Sequence, residues 1–224
     1  MLRNRKINTI LIYGGSFDPP HYGHLNTALA VQNDMHFERF IFVPCKIPVL
    51  KAATLASSEQ RICMLKLALK DHPEFEIDRR EISRSSPSYM VDTLISFRDE
   101  LGDQASITLL LGIEVFTQLP EWHRWEDIFS LSNLLVMRRK LPNEVTLPEP
   151  LKARLLTHEV FDKNNLLAHP FGKICLYDAG QYAISSTWLR SQMHSGRNLD
   201  PYLPANVLQY IKDHNLYIDD TSNR

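Results

Sequence analysis

Short apolar runs closed by turn residues alternate along this chain with longer stretches in which apolar side chains recur every three or four positions. The runs at 9–13 (TILIY), 39–44 (RFIFVP), 75–78 (FEID), 106–112 (SITLLLG), 133–139 (NLLVMRR) and 173–179 (KICLYDA) read as strands. Between them, 23–35 sets Leu25, Ala28, Leu29 and Gln32 at helical spacing, and 57–72 does the same with Ile62, Leu65 and Leu69. Ser57 opens that second helix with Glu59 soon after it as its cap, and Gly102 closes a helix over 90–102. Helices over 185–196 and 204–216 follow the last strand. Residues 140–170 are rich in proline, leucine and charge and give the weakest pattern. Fully apolar short strands between helices predict an α/β fold: a Rossmann-like, doubly wound parallel sheet with helices on both faces. The whole chain, 1–224, is expected to form a single domain, with 185–224 as a small closing helical part. There is no internal repeat.

Composition narrows this picture. At 224 residues and 44% hydrophobic content the chain can bury a sizeable core. Its 25 basic and 26 acidic residues give a net charge of −1, without the basic excess of a nucleic-acid or membrane-surface binder. The three cysteines, Cys45, Cys63 and Cys175, are odd in number and far apart, so neither a disulfide framework nor a zinc ribbon is expected. The basic start is followed by only about six apolar residues, too few for a signal peptide, and no run reaches the ~20 of a membrane span. The expected location is cytoplasmic.

The chemistry concentrates in ILIYGGSFDPPHYGH, 10–24. Ligands of an open parallel sheet sit beyond the carboxyl ends of its strands, where Gly14 and Gly15 follow TILIY. A helix starting near His21–His24 turns its free N–H groups and positive dipole end to the same space, a ready anion site. His21 and His24, three apart, share one face of that turn. The same residues also fit a glycine turn with an ordinary helix cap, or a metal site of Asp18, His21 and His24 that lacks a remote third ligand. A P-loop, a G-x-G-x-x-G fingerprint, an H-E-x-x-H pair and a nucleophile elbow are all absent. Far along the chain, YAISSTWLR opens a helix with Ser185, Ser186 and Thr187 and adds Arg190 one turn in. Alone this is an N-cap; beside the first cluster it makes a second phosphate cradle.

GGSFDPPHYGHL together with ISSTWLR resembles the nucleotidyltransferase superfamily with its H-x-G-H motif, here His21-Tyr22-Gly23-His24. Within it the chain is most similar to the bacterial nicotinate-nucleotide adenylyltransferases, over about residues 8–215. REISRSSPSYMVDTL (80–94), LLLGIE (109–114), LPEWHRWEDI (119–128) and LLVMRR (134–139) carry that choice. Phosphopantetheine adenylyltransferases share only the first motif.

The resemblance implies transfer of AMP from ATP to nicotinate mononucleotide, giving deamido-NAD and pyrophosphate in NAD biosynthesis, with no covalent enzyme intermediate. It implies catalytic roles for His21, His24 and Arg190. The ATP site would comprise Gly14, Gly15, Ser16, Phe17, His21, His24, Gly112, Glu114, Ile184, Ser185, Ser186, Thr187 and Arg190. The mononucleotide site would comprise Lys51, Tyr89, Met90, Thr93, Trp122, His123 and Arg139, with Trp122 stacked on the pyridine and the Met90 and His123 amides reading the carboxylate. Mg²⁺ would be carried mainly by ATP, with no protein metal site. No nucleic-acid or membrane partner is implied, and a homo-oligomer is compatible with the reading. Alternatives are a sister enzyme that prefers nicotinamide mononucleotide or another phosphorylated acceptor, and a non-enzymatic nucleotide binder. The chain departs from the family pattern at Glu114 (usually Asp), Cys45 (usually Asn), Met90 (usually Thr) and Pro48-Val49-Leu50-Lys51, where the family has Pro-Pro-His-Lys.

Overall fold

The computed structural model describes residues 8–48, 53–138, 146–178, 180, 184–193, 195 and 197–217. In chain order the elements are β1 (Thr9–Gly15), α1 (Tyr22–Met35), β2 (Arg39–Pro44), α2 (Ser58–Ala68), β3 (Phe75–Ile77), α3 (Arg80–Ser83), α4 (Met90–Leu101), β4 (Ser106–Gly112) and α5 (Ile113–Thr117). They continue with α6 (Ile128–Leu131), β5 (Asn133–Met137), α7 (Glu149–His158), α8 (Lys163–Leu167), β6 (Ile174–Tyr177), α9 (Ser186–Gln192) and α10 (Ala205–Asp213). Five of the six strands lie within their apolar runs, and β1 extends two residues beyond TILIY, through Gly14 and Gly15. The stretch 140–170, which gave no periodicity, holds α7 and α8. Ser57 does cap α2, but its reciprocal partner is Gln60, whose side chain accepts from the Ser57 N–H at 2.8 Å. Glu59, only two residues on, does not take that place.

All six strands are parallel, in the order β3-β2-β1-β4-β5-β6. Alternate side chains of each strand supply two cores. Ile10, Ile12, Ile41, Val43, Ile107 and Leu109 face one side, where Leu94 and Phe97 of α4, Phe116 of α5 and Leu151 of α7 cover them. Leu11, Phe40, Phe42, Leu110 and Leu135 face the other, under Leu25, Ala28 and Val31 of α1, Leu65 of α2 and Leu166 of α8. Both faces are buried, so the strands read as unbroken apolar runs. A third cluster joins Met64 and Ala68 of α2 to Leu189 of α9 and Val207, Leu208 and Ile211 of α10.

The order reverses direction between β1 and β4. Their pairing ends at Ile12 with Leu109. Beyond it, Gly14 and Gly15 stay paired to Val43 and Pro44 of β2, while Leu110 to Gly112 stay paired to Leu135 to Met137 of β5. The two strands part at their carboxyl ends and open a crevice, the place where doubly wound sheets bind ligands.

Two buried charged side chains support the loops around that crevice. Arg61 of α2 is wholly buried and paired to carbonyls: its guanidinium donates to Ser16 O at 2.6 Å, Cys45 O at 2.7 Å and Lys46 O at 3.3 Å. It thus ties the loop after β1 to the loop after β2. Glu81 of α3 is 2% exposed and accepts from the Thr93 hydroxyl of α4 at 2.7 Å. Burial raises its pKa above the ordinary carboxylate range, against the lowering influence of Thr93, Ser88 and Arg84 and with a small push from Asp78.

Replacing Arg61 by Met leaves those carbonyls without a donor in the interior, and urea denaturation should show a loss of roughly 3 kcal/mol or more; a loss under about 1 kcal/mol would remove the brace from the account. Glu81 gives a pH signature. Its folded pKa is raised, so its contribution to stability is fully present below the unfolded value of about 4.3 and is lost as pH rises through the folded value. Glu81→Gln should therefore gain stability relative to wild type as pH climbs through that window. Parallel melts at stepped pH check this, and a difference that stays flat with pH contradicts it.

Candidate active site

The loop from Gly14 to Pro20 runs along the crevice. A Cβ at Gly15 would stand 3.0 Å from the Phe17 ring, so only glycine lets that ring fold beneath the loop. Phe17 has φ 48 and is buried among Leu11, Leu25 and Phe42. Phe17, expected at the ATP site, does not line the cavities with its side chain, which is core and shapes the loop from below.

The helix that follows is capped by histidines. His21 is the N-cap of α1, and its Nδ1 accepts from the His24 N–H at 3.3 Å. His24 Nδ1 accepts in return from the His21 N–H at 3.3 Å. The two rings stack with centroids 3.7 Å apart. With both Nδ1 atoms accepting from amides, the neutral rings carry their proton on Nε2, so each presents a donor there. Gly23 is required between them, because a Cβ there would lie 2.9 Å from the His21 ring and 3.2 Å from Ile184 Cβ. That second contact brings the C-terminal motif onto the first.

The two motifs meet across one cavity of about 600 Å³. Gly14, Gly15, Ser16, His21 and His24 line one wall, Gly112 and Glu114 another, and Ile184, Ser185, Ser186, Thr187 and Arg190 a third. Ser185 caps α9 by accepting from the Trp188 N–H at 3.1 Å. Ser186 Oγ donates to Pro19 O at 2.9 Å, and Arg190 Nη1 donates to Asp18 O at 2.7 Å, so the start of α9 is bonded directly to the loop after β1. The metal reading of Asp18, His21 and His24 fails on this geometry. The Asp18 carboxylate faces the Leu55 and Ala56 amides at 2.9 and 3.1 Å and the Tyr217 hydroxyl at 2.8 Å. Among the described residues no three His, Cys, Asp or Glu side chains group around a metal position.

A second, smaller cavity of about 170 Å³ adjoins the first and shares Gly14, Gly15, Ser16, Pro48, Leu111 and Val115 with it. Tyr89, Met90, Trp122 and His123 line it, with Cys45, Glu81 and Ser88. The Tyr89 and His123 rings lie 4.4 Å apart at 36°. Met90 is the first residue of α4, where an amide has no acceptor within its helix. Thr93 does not line the cavity: it is wholly buried behind it, bonded to Glu81. Expected at the mononucleotide site, Thr93 instead shares the Met90 side of α4 one layer deeper, where its hydroxyl donates to the Glu81 carboxylate that lines the cavity. Lys51 and Arg139 lie outside the described residues.

Several cavity residues escaped the sequence reading. Arg138 lines the larger cavity, whereas the resemblance points only to its neighbour Arg139. Glu81 lines the smaller one and sits inside a stretch already quoted for the resemblance. Arg61 is a buried support that no local pattern marks out, because the carbonyls it bonds lie 15 to 45 positions away, and Asp18, weighed only as a metal ligand, takes its partners 37 to 199 positions away.

Known proteins resemble this chain in sequence and in fold. The Cytidylyltransferase-like family model matches residues 12–192. A protein of Legionella pneumophila (strain Paris) named "Probable nicotinate-nucleotide adenylyltransferase" is 47% identical over 94% of this chain and 100% of its own length. A protein of the same name from Methylococcus capsulatus is 41% identical over 92% of this chain and 98% of its own. A solved structure of Plasmodium falciparum nicotinic acid mononucleotide adenylyltransferase, complexed with NaAD, superposes with a TM-score of 0.71 at 20% identity, over 94% of this chain and 97% of that one. That likeness establishes the shared fold. On the family match and on relatives of this identity and coverage, the chain belongs to the cytidylyltransferase-like family and, within it, to the nicotinate-nucleotide adenylyltransferases.

Proposed function

We propose that the chain, acting as one nucleotidyltransferase unit closed by its helical part from 185 onward, transfers AMP from ATP to nicotinate mononucleotide with release of pyrophosphate. The observation that carries this reading is the junction of two unlike cavities at Gly14-Gly15-Ser16. The larger is lined by hydroxyls, imidazoles and arginines and suits a nucleoside triphosphate. The smaller is lined mainly by aromatic and apolar side chains and suits a flat ring. A phosphate oxygen of the acceptor and the α-phosphorus of the donor then meet at the loop, where no Cβ keeps the backbone away.

The acceptor phosphate is already an anion, so no nucleophile or general base is needed. The work left to the protein is alignment and stabilisation of charge, and alignment alone can lower a barrier by up to ~7–11 kcal/mol. The Nε2–H groups of His21 and His24 donate to the donor phosphates, as do the amides around Gly15 and Ser16. The Thr187 hydroxyl, the Ser186 N–H at the start of α9 and Arg190 hold the β- and γ-phosphates; the Ser186 hydroxyl is spent on Pro19 O, whereas Arg190 has further N–H groups beyond the one spent on Asp18 O. Glu114 faces the adenosine end. In the smaller cavity Trp122 stacks on the pyridine, and the Met90 and His123 amides bind the carboxylate.

The family uses a divalent cation with its nucleotide, and Mg²⁺ fits the donors available here. With the Asp18 carboxylate saturated by protein hydrogens, the remaining hydroxyl and imidazole groups suit phosphate oxygens better than a bare cation, so the metal would arrive on the triphosphate and neutralise its charge.

The deciding experiment is a steady-state comparison of acceptors. A pocket of N–H donors favours a carboxylate over a carboxamide, so kcat/KM for nicotinate mononucleotide should exceed that for nicotinamide mononucleotide by roughly tenfold or more. Equal rates, or a preference for the amide, would replace this reading with the sister activity. Absence of pyrophosphate with any acceptor would leave only a nucleotide binder. Separately, His24→Ala should lower kcat by about a hundredfold with the melting temperature still cooperative, as loss of one transition-state donor does. An unchanged kcat takes His24 out of the chemistry.

A further inference from the structure

One buried cluster beside the larger cavity has no task in this mechanism. The Asp18 carboxylate is 2% exposed and accepts three hydrogen bonds: Leu55 N–H at 2.9 Å, Ala56 N–H at 3.1 Å and the Tyr217 hydroxyl at 2.8 Å. Arg190 stands beside it without closing a tight ion pair. Its Nη1 is 3.8 Å from Asp18 Oδ2, while it donates to the Asp18 carbonyl at 2.7 Å. Tyr217 comes from the turn after α10, in left-handed backbone with φ 63, and its ring packs with Met64, Leu208 and Ile211. Burial and the neighbouring carboxylate raise the hydroxyl's pKa far above the ordinary tyrosine range, so it stays a donor at any working pH.

The three donors set where the carboxylate points. Oδ1 is shared by Ala56 and Tyr217, and Oδ2 is directed at Leu55. Without the Tyr217 proton Oδ1 keeps only the Ala56 N–H, and the carboxylate is left free to turn toward the Arg190 guanidinium, which stands 3.8 Å from Oδ2. A direct pair formed there is strong, because little solvent screens it. The guanidinium would then be bound to protein, with less of its donor capacity free for a ligand.

We propose that Tyr217 is a positioning residue of the donor site: its hydroxyl holds the Asp18 carboxylate out of a closed pair with Arg190 and so keeps that guanidinium available to the triphosphate. This rests on the reading of Arg190 as a phosphate ligand. A residue from the end of the chain thereby tunes the affinity for ATP without touching it.

The test is a cycle of Tyr217→Phe, Arg190→Ala and the double variant, with KM for each substrate, kcat and melting temperature. Loss of one hydrogen bond to a charged group corresponds to roughly a tenfold effect or more, of which only part reaches Arg190 through Asp18, so Tyr217→Phe should raise KM for ATP by about fivefold and leave KM for the mononucleotide within about twofold. In the Arg190→Ala background the same change should add nothing to KM for ATP. A Tyr217→Phe protein that melts lower but binds both substrates as wild type does overturns the proposal, as does an undiminished effect in the Arg190→Ala background. If Arg190→Ala itself leaves KM for ATP unchanged, the phosphate role of Arg190 falls and the proposal falls with it. If Arg190→Ala raises that KM and Tyr217→Phe does not, only the proposal falls. A crystal structure of the wild type with a non-hydrolysable ATP analogue tests the same point without substitution. The Tyr217 hydroxyl should remain on Asp18 while Arg190 lies on phosphate oxygens, and a Tyr217 withdrawn from Asp18 in that complex would overturn it.

Discussion

The parting of β1 from β4 is the constraint on which the rest of this molecule depends. Paired only as far as Ile12 and Leu109, the two strands leave their last three residues with neighbours on one side alone. A sheet whose order reverses at its centre cannot avoid such a gap, because the crossover helices on either side of the reversal lie on opposite faces. The core clusters agree: α1 and α2 cover one face, α4, α5 and α7 the other. What this chain adds is the content of the gap. Two glycines end β1 there, and two cavities of different chemistry open from the same backbone.

An irregular loop at such a gap creates a hydrogen-bond problem that the sheet does not have. Backbone groups in the interior must find partners, and strand pairing supplies none beyond the ladder. The partners come from remote side chains. Arg61 supplies donors for Ser16, Cys45 and Lys46, Ser186 for Pro19, and Arg190 for Asp18. The same bonds that satisfy these carbonyls also lash the two motif-bearing segments together, so satisfying the loop and assembling the cradle are one event. That is why the two motifs, more than 160 positions apart, arrive on the same cavity without a strand or long helix between them.

Strands were legible because a strand buried on both faces is apolar throughout, as SITLLLG is. The cradle was legible because its residues are local to two helix starts, and the resemblance rests on those same residues. What stayed hidden is what depends on direction or distance. Thr93 sits three residues after Met90 in one helix; Met90 lines the cavity and Thr93 is buried behind it. Phe17 lies inside the motif yet faces the core, because a left-handed residue reverses its side chain. α7 and α8 carry few buried residues, Leu151 and Leu166 among them, so no apolar stripe announces them. Gln60 rather than Glu59 completes the α2 cap because the reciprocal bond requires the third residue after the cap.

The four departures from the family pattern can be weighed on the same grounds. At Cys45 the backbone does the structural work: its N–H donates to Gly15 O at 2.9 Å and its carbonyl accepts from Arg61, bonds that any non-proline residue keeps. At Met90 the group that matters for a carboxylate is the first amide of α4, again independent of side chain, while the longer side chain fills the space that Gly14 leaves open. Glu114 differs in kind. Its carboxylate lies near Gly112 on the wall of the larger cavity, so the extra methylene changes what the wall presents there. Of these substitutions, the one at Glu114 therefore changes a side chain on the cavity wall itself, while those at Cys45 and Met90 leave the loop and the first amide of α4 as they are. The Pro48-Val49-Leu50-Lys51 change falls mostly outside the described residues, with Pro48 alone seen to line both cavities. A family site thus tolerates change where its contacts are made by backbone and is sensitive where a single carboxylate must reach.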